Sequence, residues 1–112
     1  MKDDKLYLIY INECIERIEK YTSSGKKSFF DDIKTQDAVM RNLHTLSESI
    51  QRLSDDLKFR YPDMDWRSIE AFRNVIVHDY LGIDMQEIWD IVERDLPELK
   101  KIIITGINEL KA

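Results

Sequence analysis

Apolar residues recur at three- and four-residue intervals along almost the whole chain, a spacing that predicts helices and leaves no strand to place. From Asp3 to Tyr21, Leu8, Ile11, Ile15 and Ile18 form one stripe, with Tyr7, Cys14 and Tyr21 as a second line at spacing seven. Thr22-Ser23-Ser24-Gly25 stops this helix, and a short polar connection follows, with room for one turn around Phe29 and Phe30. A second block, Thr35 to Arg60, carries Val39, Leu43, Leu46, Ile50, Leu53 and Leu57 in alternating steps of four and three. That is the seam of a helix packed at a shallow angle, and a single helix of this span measures roughly 38 Å.

Tyr61-Pro62-Asp63 ends the second block. A third starts near Asp65, a plausible N-cap, and runs until Gly82 offers a C-terminal stop. The fourth opens with Asp84-Met85-Gln86-Glu87, which fits a capping box with Asp84 as the cap. Pro97 falls inside it, so the helix either kinks there or restarts with proline in its first turn. Ile88, Val92, Leu99, Ile103 and Leu110 keep one face apolar across that join. Short connections between one-sided helices predict an all-α fold: an antiparallel, up-and-down bundle of four to five helices, a single domain over residues 1–112.

Composition narrows what such a bundle can do. Three glycines and two prolines agree with long helices, and 43% apolar residues suffice for one core. No apolar run approaches a membrane span, and the mixed charges of Met1-Lys2-Asp3-Asp4-Lys5 are unlike a signal peptide. The single Cys14 has no disulfide partner within the chain, and no Cys/His cluster has zinc-site spacing. A cytoplasmic protein is the expectation. The net charge of −5 argues against non-specific coating of nucleic acid, yet leaves room for a small local basic site.

The third block carries the chemistry. Arg73-Asn74-Val75-Ile76-Val77-His78-Asp79-Tyr80 gathers a permanent cation suited to phosphate, an amide, one of two histidines and a tyrosine. On an ideal wheel Arg73 falls within the apolar arc of Ile69, Phe72 and Ile76, which is costly unless it is paired or reaches a solvated cleft. A structural ion pair or a snorkelling stem accounts for it equally well. His78 lies beside Asn74 one turn earlier, and the amide can hold the ring; a histidine at a helix end also serves simply as a dipole partner. His44, on the second block, is expected on the bundle surface without comparable neighbours. Arg73 and His78 point about 140° apart, so a two-fold dimer across this helix is expected to complete one cleft from both copies.

Arg-x4-His followed by x-Tyr, continuing as Leu81-Gly82-Ile83-Asp84 and preceded by Tyr61-Pro62-Asp63-Met64-Asp65-Trp66, resembles the HEPN superfamily and specifically its HepT toxin family. The helical layout extends the resemblance over essentially the whole chain. It implies a homodimeric, metal-independent endoribonuclease toxin without a cofactor, neutralised by a minimal nucleotidyltransferase (MNT) antitoxin. Arg73 and His78 correspond to the catalytic pair, Asn74 to the supporting polar residue, and Tyr80 to the tyrosine that the antitoxin can modify with AMP. The RNA is then the substrate and no membrane is involved. The alternative is a non-catalytic helical subunit that scaffolds a nucleotidyltransferase, a role the acidic charge suits. The residues themselves leave Tyr80 open as a core or interface tyrosine.

Overall fold

The computed structural model describes residues 3–78 and 82–111, the side chains of Val75, Val77, His78 and Lys111 excepted. Among the described residues all regular structure is helical. The order is α1 (Asp4–Tyr21), α2 (Lys26–Asp31), α3 (Ile33–Gln51), α4 (Asp55–Arg60), α5 (Trp66–His78), α6 (Met85–Asp90), a π turn (Ile91–Asp95) and α7 (Leu96–Lys111). The described body measures 43 × 27 × 21 Å.

Three antiparallel pairings organise the bundle. Leu8 of α1 lies against Gly106 of α7, and Glu19 at the other end of α1 takes Lys100 at 2.8 Å. The start of α1 meets the end of α3 through Asp4 and Ser54, and Glu48 and Gln51 of α3 face progressively earlier residues of α5. The predicted stripes are the core: Leu8, Ile11, Ile15 and Ile18, then Val39, Leu43, Leu46, Ile50, Leu53 and Leu57, are all buried. Ile88, Leu99 and Ile103 join them, with Val92 and Leu110 packed at the margin.

The expected single helix from Thr35 to Arg60 is instead two. It breaks at Arg52, and Ser54 caps a new helix by accepting the Leu57 amide at 3.2 Å. Asp4 holds this break from fifty residues away, accepting the Ser54 amide at 2.9 Å and its hydroxyl at 2.6 Å. Burial pushes the Asp4 carboxyl up, the two Ser54 hydrogen bonds lead the effects that pull it down, and it ends below its ordinary value of 3.8. A carboxyl depressed in the folded state stabilises fully above that value and loses its contribution as the pH falls through the folded pKa. Asp4→Ala is therefore expected to cost about 2 kcal/mol near neutral pH. In urea melts followed by circular dichroism, the gap from the wild type should shrink as the pH falls below 3.8.

The connection after α1 holds the turn expected around Phe29 and Phe30, as the six-residue α2. Gly25 turns it with φ 97° and ψ 178°, a region that is essentially glycine's own and costs other residues about 1–3 kcal/mol. A Cβ there would meet nothing within 4 Å, so Gly25→Ala isolates that backbone cost and should lower Tm by several degrees. The turn admits α2, which buries Phe29 completely.

Asp65 and Asp84 cap α5 and α6 as expected. Asp65 accepts from the Ser68 amide and hydroxyl, and Asp84 from the Gln86 amide at 2.9 Å. Pro97 stands in the first turn of the last helix, α7, the second of the two expected alternatives. The chain stays helical from Met85 onward, and the strain is absorbed just upstream as the π turn Ile91–Asp95. Proline lacks the amide that would bond four residues back and its ring crowds that carbonyl, so a wider turn before it is the low-cost answer.

Candidate functional site

α5 carries the candidate residues because Asp65 fixes its start and Trp66 anchors its first turn. The indole N–H donates to the Tyr61 carbonyl at 3.1 Å, closing the Tyr61–Trp66 loop onto the helix. From there Ile69 and Phe72 pack against the core and Ile76 is buried, so Arg73 is carried to the margin between α5 and α3.

Arg73 meets a carboxylate, one of the outcomes its place on the apolar arc left open, but only by one edge. Its Nε lies 3.9 Å from Glu48 Oε1 on α3, beyond hydrogen-bond range, and is itself sealed from water without a hydrogen-bond partner. A buried donor left so costs about 1–3 kcal/mol, so the contact is a weak structural ion pair. The arginine side chain is 31% exposed, and the guanidinium makes no hydrogen bond to another described residue. Its outer nitrogens are thus available to an anion arriving from solvent.

His44 departs from the expectation of a solitary surface residue. It is half-buried, and its Nε2 stands 2.9 Å from the same Glu48 Oε1 in off-line geometry that leaves the nitrogen without a formal hydrogen bond. One carboxylate oxygen of α3 therefore faces both His44 and Arg73. His44 and Glu48 are i and i+4 on α3, a signal visible in the sequence. Their meeting with Arg73 is a tertiary contact that no periodicity on α5 contains.

Asn74 is exposed on the next position of α5, one turn before His78, the last described residue of that helix. The His78 side chain and the whole of Tyr80 lie outside the described residues, so the predicted convergence of Arg73 and His78 and the predicted accessibility of Tyr80 rest on the sequence.

Two concavities flank α5, and their charges separate them. One, about 290 Å³, has an apolar floor that includes Leu43 and Phe72, and a rim of Asp63, Asp65, Asp95 and Glu98. Burial, and then the neighbouring Glu98, Asp90 and Asp65, push the Asp95 carboxyl up against the opposing effect of Arg94. Such a rim repels phosphate. The other, an open groove of about 790 Å³, is walled by α3, α4 and the start of α5 and carries Phe59, Trp66 and Arg67.

Among the described residues no helix is long and apolar enough to cross a membrane. The sequence matches the family described as Ribonuclease HepT-like over residues 11–105. It is 36% identical over 100 residues to a "Probable ribonuclease HepT" of Thermococcus cleftensis, covering 88% of this chain and 91% of that one. It is 34% identical over 110 residues to a "Gamma-glutamylcyclotransferase and putative RNase" of Methanocaldococcus jannaschii, covering 97% of this chain but spanning only 50% of that relative. A further M. jannaschii protein, named "Putative RNase", is 34% identical over 115 residues, with 96% and 95% of the two chains covered. No solved structure matches the chain.

Proposed function

Because the chain belongs to the HepT-like ribonuclease family of HEPN type, we propose that it cleaves RNA at a site built from Arg73 and His78, as the toxin of a HEPN/MNT pair. The observation that carries this reading is Arg73. An arginine held at the bundle margin by one weakly engaged edge, with its outer nitrogens uncommitted, is suited to gripping a phosphate in two-pronged fashion.

The chemistry follows from the two groups. His78 takes the proton of a ribose 2′-OH, or gives one to the departing 5′ oxygen. The 2′ oxygen attacks the adjacent phosphorus, the P–O5′ bond breaks, and a 2′,3′-cyclic phosphate remains on the upstream fragment. Arg73 stabilises the charge that builds on the phosphoryl oxygens. Asn74, one turn before His78, supports the ring, and a second copy packed across α5 supplies the opposite wall. None of these steps calls for a metal ion.

Control falls to Tyr80, in this reading. AMP attached there by an MNT-type nucleotidyltransferase adds bulk and a negative phosphate next to the cleft, opposing RNA by charge. The test is direct: incubate the purified protein with RNA in EDTA and identify the fragment ends. Cyclic phosphate ends are expected, and their disappearance after treatment with the nucleotidyltransferase and ATP. Absence of cleavage alongside a stable complex with the nucleotidyltransferase would favour the scaffold role instead.

A further inference from the structure

The groove beside α4 holds an anomaly that the fold does not explain. Phe59 projects from α4 with 80% of its surface exposed and makes no contact with another ring among the described residues. Trp66, half-buried, forms part of the same lining and is pinned by its bond to the Tyr61 carbonyl. Two aromatic faces, one loose and one fixed, thus flank an open concavity of about 790 Å³.

The groove ends one helical turn short of the margin where Arg73 sits, on both helices that lead to it. On α3, Gln51 lines the groove and Glu48 is one turn earlier; on α5, Glu70 lines it and Arg73 is one turn later. Trp66 and Arg67 themselves stand seven and six residues before Arg73 on α5, roughly 10 Å along the axis, a span of one to two nucleotides. The charges within the groove nearly cancel. Lys58 is already paired with Glu70, Asp55 stands on the wall, and Arg67 is exposed at the Trp66 end. Attraction there cannot rest on phosphate neutralisation, so it must come from ring faces and one guanidinium. Those are the groups that hold unpaired bases in single-strand binding sites.

We propose that this groove is a base-binding subsite, in which an unpaired nucleobase one or two nucleotides from the phosphate at Arg73 stacks on Phe59 and is bounded by Trp66 and Arg67. The inference rests on the ribonuclease reading for its placement next to a cleaved bond. The stacking itself does not require catalysis. A duplex, whose bases are stacked on each other, gains nothing from the groove, so the site selects single-stranded RNA.

The experiment uses the full chain in a His78→Ala background, so that RNA stays intact. Affinity for a fluorescent single-stranded RNA and for the duplex of the same sequence is measured by anisotropy, with Phe59→Ala and Phe59→Trp added. Phe59→Ala is expected to weaken single-strand binding about tenfold, Phe59→Trp to restore it, and duplex binding to stay unchanged. Unchanged single-strand affinity in Phe59→Ala overturns the subsite. So does a change in sedimentation, which would mean that Phe59 is covered by a second copy. Cleavage by the wild type, measured in parallel, separates the two ideas. Cleavage with an indifferent Phe59 sinks the subsite alone, whereas Phe59-dependent binding without cleavage sinks the ribonuclease reading and leaves a single-strand binding site.

Discussion

Arg73→Ala and His78→Ala are each expected to reduce RNA cleavage by about a hundredfold to a thousandfold, with the folded state retained. Arg73 is only partly buried and its one ion pair is weak, so its removal leaves no deeply buried charge without a partner. Thermal melts of Arg73→Ala close to the wild type, together with lost cleavage, would separate chemistry from stability. The double variant should be scarcely worse than either single one, because groups that act in one transition state are not additive. A mixture tests the proposed dimer. If the shared cleft pairs Arg73 of each copy with His78 of the other, one of the two pairs in a mixed dimer is intact. Co-expressed Arg73→Ala and His78→Ala chains should then recover part of the activity. If both groups come from the same copy, mixing recovers nothing. Undiminished cleavage in either single variant would remove these residues from the mechanism.

The second large effect concerns stability. Phe29→Ala is expected to cost about 3–5 kcal/mol, a substantial part of what holds a domain of this size together. Phe29 is fully buried, its ring edge-on to Phe30 at 5.5 Å and tilted against Trp89 at the same distance. It is thereby the peg that fastens a six-residue helix, too short to persist alone, to the junction of α3 and α6. Its loss leaves a cavity lined by Trp89 and frees the path of the chain into α3. A fall in Tm of more than ten degrees by calorimetry is the expected outcome. A fall of only one or two would mean that α2 merely rests on the bundle.

The contrast between Phe29 and the long stripes shows what the sequence could carry. Leu8, Ile11, Ile15 and Ile18 repeat over enough turns for the helical period to stand out, and all are buried. Phe29 occurs in an element of less than two turns, where no period can register. The break after α3 was hidden for the opposite reason. Leu53 and Leu57 continue the heptad and stay buried, so the hydrophobic pattern runs straight through it. The Ser54-Asp55-Asp56 capping signal was there to read, with two acids in the first turn of α4, but the Asp4 carboxylate that secures it comes from a distant part of the chain. The candidate site divides in the same way. Arg73 was conspicuous as a cation on an apolar arc, and placement alone showed that it would be paired, snorkel or reach a solvated cleft. That the carboxylate is Glu48, and that it also faces His44, depends on how α3 and α5 cross.

The π turn before Pro97 links chain length to proline. A ring closed between residues five apart holds one residue more than an α-helical ring, so Ile91–Asp95 is in effect a helical turn with a single residue inserted. Deleting one residue there would leave Gly106 facing Leu8 of α1 much as it does now, because the turn already absorbs the surplus. It would also return Pro97 to a regular helix, in which its ring meets a carbonyl of the preceding turn. Shortened relatives should therefore lack the proline as well, the two changes travelling together as one heritable unit.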